Sequence, residues 1–436
     1  MTQRWLYAWG LGSVAFGGAS LIVPLYLVAL GGGPVVLGVL AAVAAFVGVP
    51  GALLFGRLAD RTGRRRGLVL SMLVLVAAVL AVIPLTTSIG LVIVLNGLLW
   101  FAFAAGTPVV TLLAVANVSE REWSTEIGRL NKYQGIGWAV GLLLGAVWTA
   151  VIVLVVAPDA VLTSFMFLLS ACAALGVLFG ARYLPVNDET ESLPSGSRLR
   201  RALNRADRFS VRSATFPFTP GRMDFRSLRP KRFSDRFSPL LALYFMAVFV
   251  VFAGFAAFFA PLPVFLTDAG FSSNAVFGLY LINSLAAAVF FGVAGRLAAS
   301  YSVTRLQGIG LLGRAVSLPA VALVGLLFGV SAVASGAFVL LFIVIGLSWA
   351  VIAVTAGTLV TQLAPRLIRG EALGVYAALV AFAGGVGSIV GGGLAATSYL
   401  IAFVVAGGLV AGGAVIVFEV GRRQETSGAQ SSEGPL

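Results

Sequence analysis

The chain has 436 residues, of which 59% are hydrophobic and 10% are charged, and its mean hydropathy is +1.03. A soluble domain carries about 25% charged residues, so this composition excludes an ordinary soluble fold. The 29 Lys plus Arg against 16 Asp plus Glu, a net charge of +13, lie between apolar segments. That placement points to anionic inner-leaflet lipids, and not nucleic acid, as the partner of the basic residues. There is no His and the only Cys is Cys172. The inventory excludes an intrachain disulfide, His/Cys metal centres and Ser-His or Cys-His catalysis; no cofactor and no metal are expected, and the chain is not expected to be an enzyme.

A bilayer core about 30 Å thick needs roughly 20 apolar residues in a helix. Twelve segments meet that length: 5–30, 35–56, 67–87, 89–117, 133–156, 161–182, 239–266, 273–295, 306–328, 332–362, 372–395 and 397–420. The first begins after Arg4 and lacks the short core and small-residue cleavage site of a signal peptide, so it reads as a spanning helix. Many Gly and Ala lie inside the spans. Gly137, Gly141, Gly145 and Gly387, Gly391 recur every four residues, the spacing of small-residue faces on which helices approach closely.

Basic residues in the connections set the orientation. One side carries Arg57, Arg61, Arg64, Arg65, Arg66, then Arg121, Arg129, Lys132, the long central loop, Arg296, Arg305, Arg366 and Arg369. The other side has GGGP, TTSIG, APDA, LTDAG, GVSA and ATS, without Lys or Arg. The expectation is a multi-pass protein of the cell (plasma) membrane with both termini cytoplasmic.

The tetrapeptide GRLA at Gly56–Ala59 returns at Gly295–Ala298, 239 residues later, each time at the end of the second span of a half. Gly128, Gly141, Gly145 correspond to Gly374, Gly387, Gly391 with an offset of 246. The organisation read from these repeats is an N-terminal six-helix bundle (1–184), a cytoplasmic basic linker (185–238), a C-terminal six-helix bundle (239–420) and a cytoplasmic tail (421–436). Within the linker Leu199, Ala202, Leu203, Ala206 and Phe209 form one helical stripe among Arg198, Arg200, Arg201, Arg205 and Arg208. That pattern suits an interfacial helix on the inner leaflet; a plain basic linker is the alternative.

The connection after span 2 reads Gly56-Arg-Leu-Ala-Asp60-Arg61-Thr-Gly63-Arg64-Arg65. It resembles the signature of the major facilitator superfamily, and span count, motif position and half-repeat agree with that over essentially the whole chain. The resemblance implies an all-α integral membrane fold of twelve transmembrane helices in two pseudo-symmetric six-helix bundles, with a central cavity and alternating access. It also implies a conformational latch at Gly56, Asp60, Arg61, Gly63, Arg64 and Arg65, in which Asp60 closes the cytoplasmic side against the start of span 11, where Arg366 and Arg369 stand nearby. Gly56 allows close helix approach, and Gly63 suits a turn with unusual dihedrals. The second copy, GRLAASYSVTR, has Ala299 and Ser300 in place of Asp60 and Arg61, so the acidic latch belongs to one half. Proton-coupled members often carry an Arg in helix 4, where this chain has Asn96. Efflux members often show a Gly-Pro pair in helix 5, where this chain has none.

No Asp or Glu lies deep in any span, which argues against a carboxylate proton relay in the cavity. Polar residues at depth include Ser13, Ser20, Asn96, Thr107, Asn283, Ser284, Arg314, Ser348 and Thr355. Asn283 fits an interhelical bond as well as a substrate contact. Trp100 and Trp349 lie near the centres of spans 4 and 10, which line the cavity in this family, and fit either its wall or the packed core. Phe249, Phe252, Phe255, Phe258 and Phe259 read as packing and lipid contact. Arg314 stands about ten residues into span 9, roughly 15 Å deep. There it can bond backbone carbonyls or the Asn283 amide, or meet an anionic substrate group with its planar fork.

The candidate substrate cavity is therefore Asn96, Trp100, Asn283, Arg314 and Trp349. The functional expectation is a secondary active or facilitative carrier of a small solute, acting as a monomer, with a drug or amphiphile antiporter as one alternative. A membrane-embedded lipid enzyme lacks the interfacial cluster of Asp, His or Lys it needs. A transporter-like sensor is the remaining alternative. The charge asymmetry makes a direct prediction: cysteines at Gly32 and Ser88 label from outside intact cells with an impermeant maleimide, and one at Ser195 does not. External labelling at position 195 overturns the orientation.

Overall fold

A computed structural model describes residues 4–62, 64–115, 123–185, 237–328, 331–364 and 369–432, and every regular element in them is helical. Twelve long helices follow in order: α1 Trp5–Ala29, α2 Pro34–Thr62, α3 Arg65–Val82, α4 Ile89–Val115, α5 Trp123–Val151, α6 Pro158–Tyr183, α7 Pro239–Phe259, α8 Ser273–Ser300, α9 Val303–Phe328, α10 Ala332–Leu363, α11 Arg369–Ala395 and α12 Tyr399–Ser432. After a break at Ala260–Pro261, the seven-residue helix Leu262–Asp268 completes the α7 span. Among the described residues eleven spans are long and apolar enough to cross a membrane, and α2 contributes the shorter apolar stretch Pro34–Gly48. Helices in such a segment satisfy every backbone N–H and C=O internally, which lipid requires.

The local rules are visible at the ends. Pro158 and Pro239 open α6 and α7, where the missing N–H costs nothing. Ser238 and Ser331 cap α7 and α10 by accepting from Leu241 N and Ala334 N. Gly31 and Gly270, at φ of 86° and 93°, turn the chain after α1 and α7. The C-terminal segment, read from sequence as a tail, continues α12 as helix to Ser432.

The packing pairs repeat. In the first half α1 packs on α5 and α6, α2 on α4, and α3 on α4 and α6; in the second α7 packs on α11 and α12, α8 on α10, and α9 on α10 and α12. Each pair in one set matches a pair in the other six helices later. The halves meet through α2 against α11 and α5 against α8, two contacts that the same six-helix shift exchanges.

Backbone approach at glycine sets the central crossings. A Cβ on Gly141 of α5 would lie 2.2 Å from the Val14 carbonyl oxygen of α1, and one on Gly387 of α11 would lie 2.1 Å from the Ala253 oxygen of α7. Val14 and Ala253 stand 239 residues apart, the spacing of the two GRLA copies, and Gly141 and Gly387 stand 246 apart. One contact is thus used twice, in the register of the sequence repeat. Gly387→Ala should cost about 1–3 kcal/mol by overpacking. Gly393→Ala, where a Cβ meets nothing within 4 Å, should be neutral or slightly stabilising. Thermal unfolding of the purified proteins checks this, and equal midpoints for the two variants refute it.

Candidate substrate cleft

Between the halves lies a small cleft lined by Ser20 and Pro24 of α1, Leu37, Leu40, Ala41, Ala44 and Ala45 of α2, Asn96 and Trp100 of α4, and Phe259, Ala260 and Pro263 of the α7 span. Pro24 and Pro263 are 239 residues apart, so the two halves place equivalent prolines on its walls. Neither proline has an N–H. The carbonyls of Ser20 and Phe259, four residues earlier, therefore receive no N–H from them, and Asn96 and Ser20 supply the polar side chains of an otherwise apolar lining.

Most of the polar side chains at depth are satisfied within their own helices. Ser13 donates to the Trp9 carbonyl at 2.8 Å, Thr107 to Phe103 at 2.9 Å, Ser284 to Tyr280 at 3.0 Å, Ser348 to Ile345 at 2.9 Å and Thr355 to Val351 at 2.7 Å. Ser20 donates to Gly17 at 2.8 Å while lining the cleft. Of the sequence-derived cavity residues, the structure brings Asn96 and Trp100 to the cleft. Trp100 leans on Phe16, Phe103 and Trp138, at ring separations of 6.5, 6.4 and 6.4 Å.

Asn283, Arg314 and Trp349 lie instead inside the second half, 1%, 0% and 3% exposed. The Asn283 carbonyl sits where a Cβ on Gly346 would be, 2.3 Å away, at the α8–α10 crossing. Arg314 donates from Nη1 to the Ile345 carbonyl at 3.3 Å. Its Cζ stands 4.3 Å from the Phe255 ring centroid, 5.4 Å from Phe259 and 5.5 Å from Trp349. Of the two roles expected for these phenylalanines, packing is the one Phe252, Phe255, Phe258 and Phe259 take and lipid contact is not: they are at most 4% exposed, because α7 packs between α11 and α12. Sequence reading missed Phe255 and Phe259 as site residues. Their spacing one turn apart, on a span paired with a deep Arg, was the available signal.

The latch is largely outside this description. Gly63, the surroundings of Gly56 and the side chains of Asp60 and Arg61 lie outside the described residues, as do Arg366 and residues 186–236 of the linker. Arg64 is exposed and Arg65 half-buried. Arg66, not among the latch residues, donates from Nη2 to the Ala181 carbonyl of α6.

The described contacts between the halves start at the ends of the spans far from the chain termini. A Cβ on Gly38 of α2 would lie 2.5 Å from the Ser388 oxygen of α11, and one on Gly392 would lie 2.6 Å from the Pro34 oxygen. On the other side Gly145 of α5 abuts the Phe277 ring of α8 at 2.3 Å by the same measure, and Phe277 meets Phe165 at 5.7 Å. Toward the terminal ends, Phe46 of α2 and Phe382 of α11 face each other at 6.1 Å yet remain 40% and 52% exposed. The Phe46 ring also abuts Gly385 of α11, so the described α2–α11 contact continues past mid-depth.

Two six-helix sets related by repetition, joined by two symmetric contacts around a cleft, define a transporter of the alternating-bundle class. The sequence model of the Major Facilitator Superfamily matches residues 8–384, and the chain belongs to that superfamily. Among solved structures it is similar to the nucleoside transporter NupG, with a TM-score of 0.70 at 14% identity, covering 96% of this chain and 98% of that one. A point mutant of the same transporter gives a TM-score of 0.68 at the same identity and coverage. The human organic anion transporter MFSD10 (TETRAN) gives 0.54 at 17% identity, covering 95% and 98%. No curated protein sequence matches the chain. It is a transmembrane transporter.

The unequal exposure of these positions makes a labelling prediction in a Cys172→Ser background. Phe46→Cys and Phe382→Cys should react readily with a small maleimide in purified protein. Ser388→Cys, at a position 0% exposed, should react at least an order of magnitude more slowly. Comparable rates at 382 and 388 contradict the described difference in exposure.

Proposed function

We propose that this chain carries a small, amphiphilic solute across the plasma membrane by alternating access, as a monomer with both termini in the cytoplasm. The observation that carries the reading is the chemistry of the seam at the far ends of the spans. Its α2–α11 contact is glycine against backbone, with no hydrogen-bonded or charged lock among the described residues, so the halves can part there without breaking an ion pair. The similar solved transporters are named for a nucleoside and for organic anions, both small solutes. The lining of Leu, Ala, Pro, Trp and Phe favours amphiphiles over sugars, which need many hydrogen bonds to be held.

Coupling through a mid-membrane carboxylate has no residue to serve it in this sequence. The reading therefore leaves facilitated transport, or coupling through carboxylates at span ends such as Asp60 and Asp268. Asp268 accepts a hydrogen bond from Tyr399 at 2.5 Å, which ties the end of the α7 span to the start of α12. Asp60 of the latch accepts hydrogen bonds from the start of α11 when the cytoplasmic ends close, where a helix N-terminus favours an anion.

Two variants test this without knowledge of the solute. Gly38→Leu cannot keep its contact with the Ser388 carbonyl, so it forces the far ends apart. Alternating access then requires reciprocal changes: faster labelling of Ser388→Cys together with slower labelling of Phe382→Cys. Changes confined to one site, or in the same direction at both, refute the mechanism. Asp60→Asn should do the reverse and hold the cytoplasmic side open, raising Phe382→Cys labelling several-fold while expression and thermal stability stay near wild type. Unchanged labelling reduces the motif to a topological signal.

A further inference from the structure

The second half contains polar atoms that its own packing leaves without partners. Arg314 is fully buried, and while Nη1 reaches the Ile345 carbonyl, Nε and Nη2 have no hydrogen-bond partner. The Trp349 indole N–H is also buried and unpartnered, with its ring 5.5 Å from the guanidinium. A third such atom is the Tyr280 hydroxyl, whose ring packs on Phe259 at 6.4 Å. Three donor side chains thus gather around the Phe255–Phe259 turn of α7. No carboxylate pairs with Arg314 among the described residues, whose ion pairs are Arg129–Glu126, Arg305–Glu425 and Glu419 with Arg422 and Arg423. A guanidinium stays protonated in a protein. Aromatic faces offset part of its charge, but they accept no proper hydrogen bond from Nε or Nη2.

Pseudo-symmetry says where this cluster belongs. Trp349 stands 249 residues after Trp100, and Ile345 stands 249 after Asn96. Asn96 and Trp100 line the cleft, and the equivalent pair on α10 lies beside Arg314 instead. What separates them from the cleft is Phe259, which lines the cleft and also stacks over the guanidinium. Phe259 sits immediately before the break at Ala260–Pro261, where α7 ends and the short helix Leu262–Asp268 begins.

We propose that Arg314, Trp349 and Tyr280 form an anion subsite behind Phe259 that takes the carboxylate, sulfonate or phosphate of the transported solute while its apolar body stays in the cleft. The proposal rests on the cleft being the substrate site and narrows the solute to a small organic anion. Phe259 acts as the door. When its ring swings aside, the fork of Arg314 offers Nε and Nη2 side by side, a geometry that matches two oxygens of one anion. The indole N–H and the phenol can reach a remaining oxygen. A loosely held resident inorganic anion shares this chemistry, and the experiment separates the two.

The test is direct binding to purified full-length protein in neutral detergent, with 4-butylbenzoate, its neutral amide and chloride as probes. The carboxylate should bind and raise the thermal midpoint, and the amide should do neither. Arg314→Gln should weaken carboxylate binding roughly tenfold or more. Its unliganded midpoint should stay equal or rise, because removing an uncompensated buried charge relieves desolvation. Trp349→Phe and Tyr280→Phe keep the rings and remove one donor each, so each should weaken binding roughly three- to tenfold. Equal binding of carboxylate and amide overturns the proposal, as does undiminished binding by Arg314→Gln. A lower unliganded midpoint in Arg314→Gln marks a structural charge and also overturns it. If Arg314→Gln does not fold, unchanged affinities in both conservative variants overturn it alone. Chloride that stabilises the protein through Arg314 and is not displaced by the carboxylate identifies a resident ion and overturns the substrate assignment. These measurements do not depend on the reciprocal labelling that tests alternating access, so each reading can fail by itself.

Discussion

Close backbone approach at glycine is the constraint on which the other features rest. In lipid the hydrophobic effect does not drive helices together, so packing and short-range contact must. Gly141 against Val14 and Gly387 against Ala253 bring the inner helices of each half to backbone distance. Of the eleven spans long and apolar enough among the described residues, α1 and α7 are consequently the most enclosed, 83% and 67% buried over their apolar windows. That enclosure lets each contribute a proline wall to the cleft. The same device at Gly38 and Gly392 joins the halves, with a different consequence. Inside a half the glycine crossings are backed by further helices, whereas between halves they are nearly the whole of the α2–α11 seam at the far ends. Identical chemistry yields a rigid bundle in one place and a separable contact in the other.

The spans were legible because hydropathy reports the thickness of the bilayer core. Their ends were less so, since a helix does not stop where the apolar segment stops. The fifth span reads from residue 133, yet α5 begins at Trp123, because Glu126, Arg129 and Lys132 suit helix outside the apolar layer and Glu126 pairs with Arg129 at 3.1 Å. The twelfth runs to Ser432 for the same reason, with Glu419 bridging Arg422 and Arg423 and Glu425 reaching Arg305. Such exposed pairs contribute little stability, but they show why polar composition alone does not end a helix. In α3 the apolar run continues to residue 87, and Pro84 is what turns it into a 3-10 segment after Val82.

The candidate site was half legible. Depth and residue type located Asn96 and Trp100 on the cleft, and depth located Arg314 near the centre of its helix. Which face of α9 Arg314 occupies is a packing fact that no local pattern encodes. Snorkelling was open to an Arg at this depth, yet the side chain turns inward to Phe255, Phe259 and Trp349. The phenylalanines read as packing and lipid contact together because α7 is apolar all round, and an all-round apolar helix gives no indication of which ring meets which neighbour.

The two halves copy each other in fold and depart from each other in chemistry, and the departures are concentrated. The repeat retains Gly141 and Gly387, Pro24 and Pro263, Trp100 and Trp349, all of which shape the scaffold or the cleft. It loses Asp60, whose counterpart is Ala299. It also differs at Asn96, whose counterpart Ile345 offers only a backbone carbonyl, and that carbonyl is taken by Arg314. A charge at this depth costs roughly 2.5–3.5 kcal/mol on insertion scales, and it stands in the half that lacks the acidic loop residue. Charge is thus placed unequally on the halves: Asp60 of the first is replaced by Ala299, and Arg314 is buried in the second. A symmetric scaffold can rock between two states without favouring either. Unequal charges placed on its two halves give a charged solute, or the closing of one end, different energies in those states, which is the condition for a ligand to shift a conformational equilibrium.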